Sequence, residues 1–158
     1  MRALLILVLF ATAGQQQASR YVDVKGVTLP VNVTAESLVG DWYRGDGLGY
    51  NVTLSLKAKG NFEAVWTGCV GEYGRAEGTW IIDQGAVALK PVTEAGTMVN
   101  YLRRVDIVSY RGHVLLVPSG KDGDFFVEYG PSNYSCFGRD DNLPMRRERK
   151  GHGKSRGS

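Results

Sequence analysis

The chain has 158 residues, 43% of them apolar, with 21 glycines and a formal net charge of +3. The apolar share supports a proper core and excludes disorder throughout, the length suits one domain, and the glycines favour tight turns over long helices. The charge is uneven: from Arg139 onward there are seven Lys or Arg against three acidic residues, so the basic pI belongs to the tail and the body is near neutral.

At the N-terminus, Met1 and Arg2 precede an apolar run from Ala3 to Phe10 and then Ala11-Thr12-Ala13. A positive charge, a short apolar run and a small-x-small site predict a secretory signal peptide over residues 1–18, cleaved near Ala13 or Ala18. The run is too short to span a bilayer, which takes about 20 apolar residues, and no later stretch is longer. The mature chain is therefore expected to be exported, periplasmic or extracellular, soluble and monomeric. Residues 19–36 read as an N-terminal arm: Tyr21 to Val33 alternates weakly around Gly26 and Pro30, as an arm or an edge strand would. Thr34 is placed to cap one short helical turn over Ala35 to Val39, with Ser37 as the alternative cap.

The main domain is expected over residues 37–138 and opens with Gly40-Asp41-Trp42. Gly45-Asp46-Gly47-Leu48-Gly49 is rich in glycine, but a phosphate cradle needs a helix N-terminus after it. Tyr50, Val52, Leu54 and Leu56 instead alternate with polar residues, which predicts a half-buried strand and rejects a dinucleotide site. Lys57 to Asn61 reads as a hairpin connection in which Gly60 or Asn61 supplies a positive φ. Phe62, Ala64 and Trp66 mark the next strand, and Gly68 to Gly74 a glycine-rich connection. Trp80 and Ile82 mark a third strand, Asp83-Gln84-Gly85 a turn, and Val87 and Leu89 a fourth strand stopped by Pro91. Met98 to Tyr110 reads as one bent strand or two, and His113 to Val117 as a strand ended by Pro118. Lys121 to Asp124 reads as a polar turn before Phe125-Phe126-Val127, and Ser132 to Phe137 as a compact segment. Residues 139–158 read as a flexible basic tail. About eight short strands with frequent turn signals predict an all-β antiparallel meander closed into a small barrel, with no convincing helical period.

The two cysteines, Cys69 and Cys136, are 67 positions apart. Export favours a disulfide between them; two separately buried thiols are the alternative. With only His113 and His152 beside them, they do not suggest a metal site, and no cofactor is expected. His113 follows Arg111-Gly112 and reads as a turn histidine rather than a general base. No serine sits in a nucleophile elbow. Asp122, Asp124 and Glu128 are closely spaced carboxylates that read as a solvated turn rather than a calcium loop. No catalytic residue is assigned. The basic tail lacks interleaved aromatics, and export argues further against a nucleic-acid partner. Trp42, Tyr50, Trp66, Tyr73, Trp80 and Tyr101 are the candidate ligand-binding residues, since aromatics can line a pocket in a small barrel or fill its interior.

Gly40-x-Trp42 ahead of a meander resembles the opening of the calycins, the lipocalin and fatty-acid-binding barrels. Leu54-x-Leu56, Gly60, Phe62 and Trp66, then Gly78-x-Trp80 ahead of Val87-x-Leu89, are similar to lipocalin-like modules of exported bacterial proteins. The resemblance covers roughly Leu38 to Pro91. It implies a barrel with Trp42 packed across its floor, and a helix after the strands that the periodicity here does not show. The function expected is a non-catalytic binding module for a small apolar ligand. The alternative is a protein-interaction module, such as an inhibitor of a secreted hydrolase, acting through the Gly45–Gly49 or Gly68–Gly74 loop.

Overall fold

The computed structural model describes residues 20–30 and 32–139. The expected signal peptide with its cleavage sites, and the tail beyond Arg139, lie outside the described residues. In chain order the elements are β1 (Val27–Thr28), α1 (Ala35–Leu38), β2 (Gly40–Gly45), β3 (Asn51–Leu56), a 3₁₀ turn (Ala58–Gly60), β4 (Asn61–Gly68), β5 (Gly71–Asp83), β6 (Ala86–Gly96), β7 (Arg104–Tyr110), β8 (His113–Pro118) and α2 (Lys121–Tyr129). Every strand pairing is antiparallel, and β2 to β8 follow one another as a meander. The short β1 adds to the far half of β7, beyond the stretch that β6 pairs. The expected all-β class and antiparallel meander are what the chain forms.

The expected closed barrel is not. The outer strands β2 and β8 do not pair with each other. Between them runs a two-residue segment: Phe137 exchanges both backbone hydrogen bonds with Leu116 on β8, and Gly138 exchanges both with Tyr43 on β2. Strand-to-strand closure would require a continuous ladder, and the described residues supply these isolated bridges and one further backbone bond, from Gly45 N–H to the Asn133 carbonyl at 2.8 Å.

Alternation explains the inner face. Val52, Leu54 and Leu56 on β3 are buried while Thr53 and Ser55 between them are half-buried. Phe62 and Ala64 on β4, Ala76 and Trp80 on β5, Val87 and Leu89 on β6, Val105 and Ile107 on β7 and Leu116 on β8 join Trp42 in one apolar cluster. Thr34 caps α1 as expected, accepting from Ser37 N–H while Ser37 Oγ accepts from Thr34 N–H, each at 3.3 Å. That reciprocal pair fixes the approach of the chain to Gly40.

Two strands run further than the sequence suggests. β5 begins at Gly71, so the expected Gly68–Gly74 loop shrinks to a tight turn at Cys69 and Val70. β6 passes through Pro91, which falls opposite Gly78 where the register slips between Glu77 and Gly78. A bulge is where a residue without an N–H costs a strand least. In the β3–β4 connection Gly60 has a positive φ as expected, but its companion is Lys59, with Asn61 extended.

A second apolar cluster covers the outer face of β7 and β8. Val108, Leu115 and Val117 meet Phe126 of α2, Cys136 and Tyr21. The supposed arm is therefore docked: Tyr21 is fully buried, and its ring meets Phe126 edge-on at 5.5 Å. The stretch taken for a polar turn is the nine-residue helix α2. Asp122 and Asp124 in its first turn complement the helix dipole, and only Gly123 and Phe126 are buried. So few inward residues leave no repeat from which a period could be seen. Gly123 is required by close approach, because a Cβ there would run into the Arg20 guanidinium and lie 2.8 Å from the Tyr21 hydroxyl.

The expected disulfide is also corrected: both cysteines are free thiols. Cys69 is exposed in the β4–β5 turn, with Sγ 3.6 Å from the Leu48 carbonyl. Cys136 is buried with Sγ 3.3 Å from the Ser132 carbonyl, and burial pushes its thiol up to about 11. The cysteines belong to separate local packings, which spacing along the chain does not reveal.

Candidate functional site

The six aromatic candidates divide. Trp42 is buried, donates Nε1–H to the Leu38 carbonyl at 2.9 Å and carries the Arg139 guanidinium 4.8 Å above its ring. Trp80 is buried and donates to the Lys57 carbonyl at 3.1 Å. These two are core residues whose polar atoms are satisfied by nearby backbone. Tyr73 is exposed on β5.

The other three converge. Trp66 faces inward on β4, as the alternation from Phe62 and Ala64 requires, opposite Val52 of β3. Tyr50, just before β3, meets the Trp66 ring edge-on at 4.9 Å. Tyr101, in the turn before β7, lies 5.1 Å from the same ring, tilted by 51°. The two tyrosine hydroxyls are 3.0 Å apart. All three rings are half-buried. A fourth, Tyr134, stacks on Tyr50 with centroids 6.2 Å apart and is itself exposed.

Beneath the rings lies Arg44, which sequence reasoning passed over. It sits two residues after Trp42 on β2 and so shares its inward face; that alternation was the signal available. Its side chain is only 5% exposed. Nε–H donates to the Tyr134 carbonyl at 2.6 Å, and Nη1 donates to the Tyr101 hydroxyl at 3.0 Å and to Asp122 Oδ2 at 2.7 Å. The guanidinium also stands 5.5 Å from the Tyr50 ring centre and 5.9 Å from that of Phe137. Burying a charge this deeply requires pairing, and Asp122 at the start of α2 provides it. Burial alone would lower the Arg44 pKa, but the bond to Asp122 and the neighbouring tyrosines leave it raised. Burial likewise raises Tyr101 and Tyr50, with the positive charge of Arg44 working against it. Both phenols are thus neutral hydrogen-bonding groups at physiological pH.

The rim of this cluster is built by the loop between β2 and β3. Asp46 Oδ1 accepts from the N–H groups of Leu48, Gly49 and Tyr50 at 2.7, 3.0 and 3.1 Å, and these bonds hold its carboxyl below the usual range. The loop is wrapped around its own carboxylate, so its N–H groups are already used and no anion cradle forms. Gly45 permits the turn: a Cβ there would collide with the Tyr50 carbonyl, and its φ is +151°. The neighbouring turn touches this loop where Cys69 lies beside Leu48 and Gly49. Leu48 at the loop tip is 74% exposed and Val70 at the turn tip 85%.

The remaining titratable candidates do not join the site. His113 is exposed at the start of β8, opposite Tyr110. Asp122 pairs with Arg44 whereas Asp124 pairs with Arg20, so the carboxylates of α2 diverge. Glu63, Glu72 and Glu77 surround Arg75 in an ion network on β4 and β5. No group of three or more metal-ligating side chains forms among the described residues. No helix among them is long and apolar enough to cross a membrane.

Comparison with known proteins adds no identity: no family model, curated protein or solved structure matches the chain.

Proposed function

We propose that the chain is an exported, non-catalytic binding module that takes a small, largely apolar, ring-bearing ligand against Tyr50, Trp66, Tyr101 and Tyr134. The observation that carries this is the contrast in burial within one set of aromatics. Trp42 and Trp80 are sealed in the core, while the cluster around Arg44 is half-buried and its outermost ring, Tyr134, is 46% exposed. Partly open rings over a polar floor offer apolar area together with a few fixed polar atoms, the usual composition of a small-molecule site. The ligand thus rests at one end of the sheet, because the interior is occupied by the main apolar cluster. Supporting the non-catalytic reading, Arg44, Asp122 and Tyr101 hold one another. Burial of Trp42 and the helix that follows β8 support the lipocalin-like resemblance.

The test is native mass spectrometry of the mature protein purified gently from an exporting host. A reproducible added mass, lost on denaturation and lost from a Trp66→Ala variant that keeps its native circular dichroism, is the expected result. A bare mass, together with no change in tryptophan fluorescence on adding 2-methylnaphthalene, would overturn the reading.

A second reading, a protein-interaction module, has one observation in its favour. The β2–β3 loop and the β4–β5 turn touch, and together they present Leu48 and Val70 to solvent. Exposed apolar residues gathered on neighbouring loops are the kind of surface that marks a protein-interaction site. Leu48→Ser with Val70→Ser would abolish such capture and leave small-ligand binding intact.

A further inference from the structure

We infer that the ligand of the aromatic cluster is uncharged and carries a paired hydrogen-bond acceptor and donor, as a carboxamide or lactam does, and is neither an organic acid nor an amine. The inference rests on the aromatic cluster being the binding site and identifies the class of molecule it takes.

Three observations support it. The first is charge balance. An isolated buried guanidinium would call for an anion, but Arg44 is already met by Asp122 at 2.7 Å. An organic acid would bring a second carboxylate beside Asp122, and an amine a second cation beside Arg44. Either meets repulsion where rings and burial keep the effective dielectric low. An uncharged ligand meets none.

The second is the way the pair is made. Arginine and carboxylate commonly pair as a fork, with two parallel bonds. Here the carboxylate engages a single arginine nitrogen, Nη1, through Oδ2, and the Tyr101 hydroxyl also donates to that same Oδ2 at 3.3 Å. Nη2 of Arg44 and Oδ1 of Asp122 have no hydrogen-bond partner among the described residues. Neither atom is a sealed orphan of the core, so a ligand reaching the site can meet them as donor and acceptor. The unspent donor suits a carbonyl oxygen and the unspent acceptor suits an N–H. A carboxamide or lactam edge offers both without charge.

The third is the set of rings. Tyr50 and Trp66 are perpendicular, with an interplanar angle of 87°, while Tyr134 lies within 29° of Tyr50. Flat π-faces and edges in this arrangement favour a planar ligand body over a flexible aliphatic chain. With Tyr101 and Tyr50 kept protonated, the phenols add neutral donors and no charge.

The experiment titrates the folded chain with four probes of one shape: 2-naphthamide, 2-naphthoate, 2-naphthylmethylammonium and 2-methylnaphthalene. Binding is followed by tryptophan fluorescence and by the NMR signals of the Trp66 indole N–H and the Arg44 Nε–H. The expected result is that 2-naphthamide binds at least about tenfold tighter than either charged probe and shifts the Arg44 signal. The preference over 2-methylnaphthalene should vanish in Asp122→Asn, read on protein whose native circular dichroism is retained, because Asp122 is the partner of the buried Arg44 charge. The four-probe ranking on the unaltered chain tests the inference without that variant. If 2-naphthoate binds tightest, the site is an anion site and the inference fails. If 2-naphthylmethylammonium binds tightest, Asp122 is the dominant charge and the inference fails equally. If all four bind alike, the aromatic site stands but its polar selectivity does not. If none moves the Trp66 signal, the site itself falls, and the inference with it.

Discussion

Strands β7 and β8 and strands β5 and β6 belong to the same sheet, yet they meet solvent in opposite ways. On β7 and β8 both faces are covered: Val105, Ile107 and Leu116 point into the main core, while Val108, Leu115 and Val117 point into the second cluster under α2. On β5 and β6 the inner residues are buried, but outward residues such as Ile81 and Val92 are 64% and 81% exposed. The contrast teaches where stability is concentrated. A strand covered on one side needs its alternation only; one covered on both needs a second element to arrive and stay. Here that element is the nine-residue helix α2 carrying Phe126, pinned by Tyr21 from the other end of the chain.

The comparison breaks most directly at Phe126. Phe126→Ala should cost about 3–5 kcal/mol in denaturant unfolding, since it empties the centre of the second cluster. A loss below about 1 kcal/mol, well under that range, would mean that the cover contributes little. Next comes the polar pin. The Tyr21 hydroxyl donates to Asp106 Oδ2 at 2.8 Å, and Asp106 is only 1% exposed. Tyr21→Phe should cost about 1–3 kcal/mol, because a buried carboxylate is left short of a donor. An unchanged unfolding midpoint would show that its remaining neighbours suffice, the Ser119 hydroxyl 3.4 Å from Oδ2 and Arg104 Nε 3.4 Å from Oδ1.

High pH provides a gentler probe of the same region. The folded Cys136 thiol is pushed up to about 11 by burial, above an unfolded value near 8.5. The unfolded chain therefore loses this proton first, so the contribution is complete below the unfolded value and fades as pH rises through the folded one. Unfolding free energy should fall by roughly 1–3 kcal/mol between about pH 8.5 and 11, and Cys136→Ala should flatten that slope. Tyr21, also raised by burial, adds a fall that begins near its unfolded value of about 10. Thiol labelling of the native chain checks the premise: Cys69 should react at once, Cys136 only on unfolding. The smallest effect is expected on the bare face, where Ile81→Thr should change stability by no more than about 0.5 kcal/mol. A larger loss would mean that β5 is covered by something in solution.

The same contrast governs what was legible in the sequence. Strands covered on one side announced themselves: Val52, Leu54 and Leu56 alternate cleanly, and the β2 to β4 pairing follows from them. Strands covered on both sides lose that signature. Val114-Leu115-Leu116-Val117 is an unbroken apolar run, and such a run is itself a sign of a second cover. Read that way, it would have pointed to α2, which its own two buried residues could not reveal. In the site, the aromatics were visible by type, but which of them were core depended on depth in the sheet. Arg44 was visible by position, on the face of Trp42, and was hidden by the habit of expecting charge outside. Its partner Asp122 lies 78 residues on, a separation no local pattern spans. Pairing of the cysteines was misjudged for a similar reason: compartment suggests a bridge, whereas the packing around each thiol decides it.

The two-residue segment at Phe137 and Gly138 has a consequence for how the chain comes off the ribosome. Strand edges with unpaired N–H and C=O groups invite pairing with other chains. The edges of β2 and β8 at Tyr43 and Leu116 are occupied only when this late segment arrives. Until then the nascent sheet carries two open templates for aggregation, and β2, made early, must wait for almost the whole domain to follow. A chain truncated before Phe137 should therefore retain much of its strand content yet associate, and size-exclusion chromatography of the truncated chain would show it.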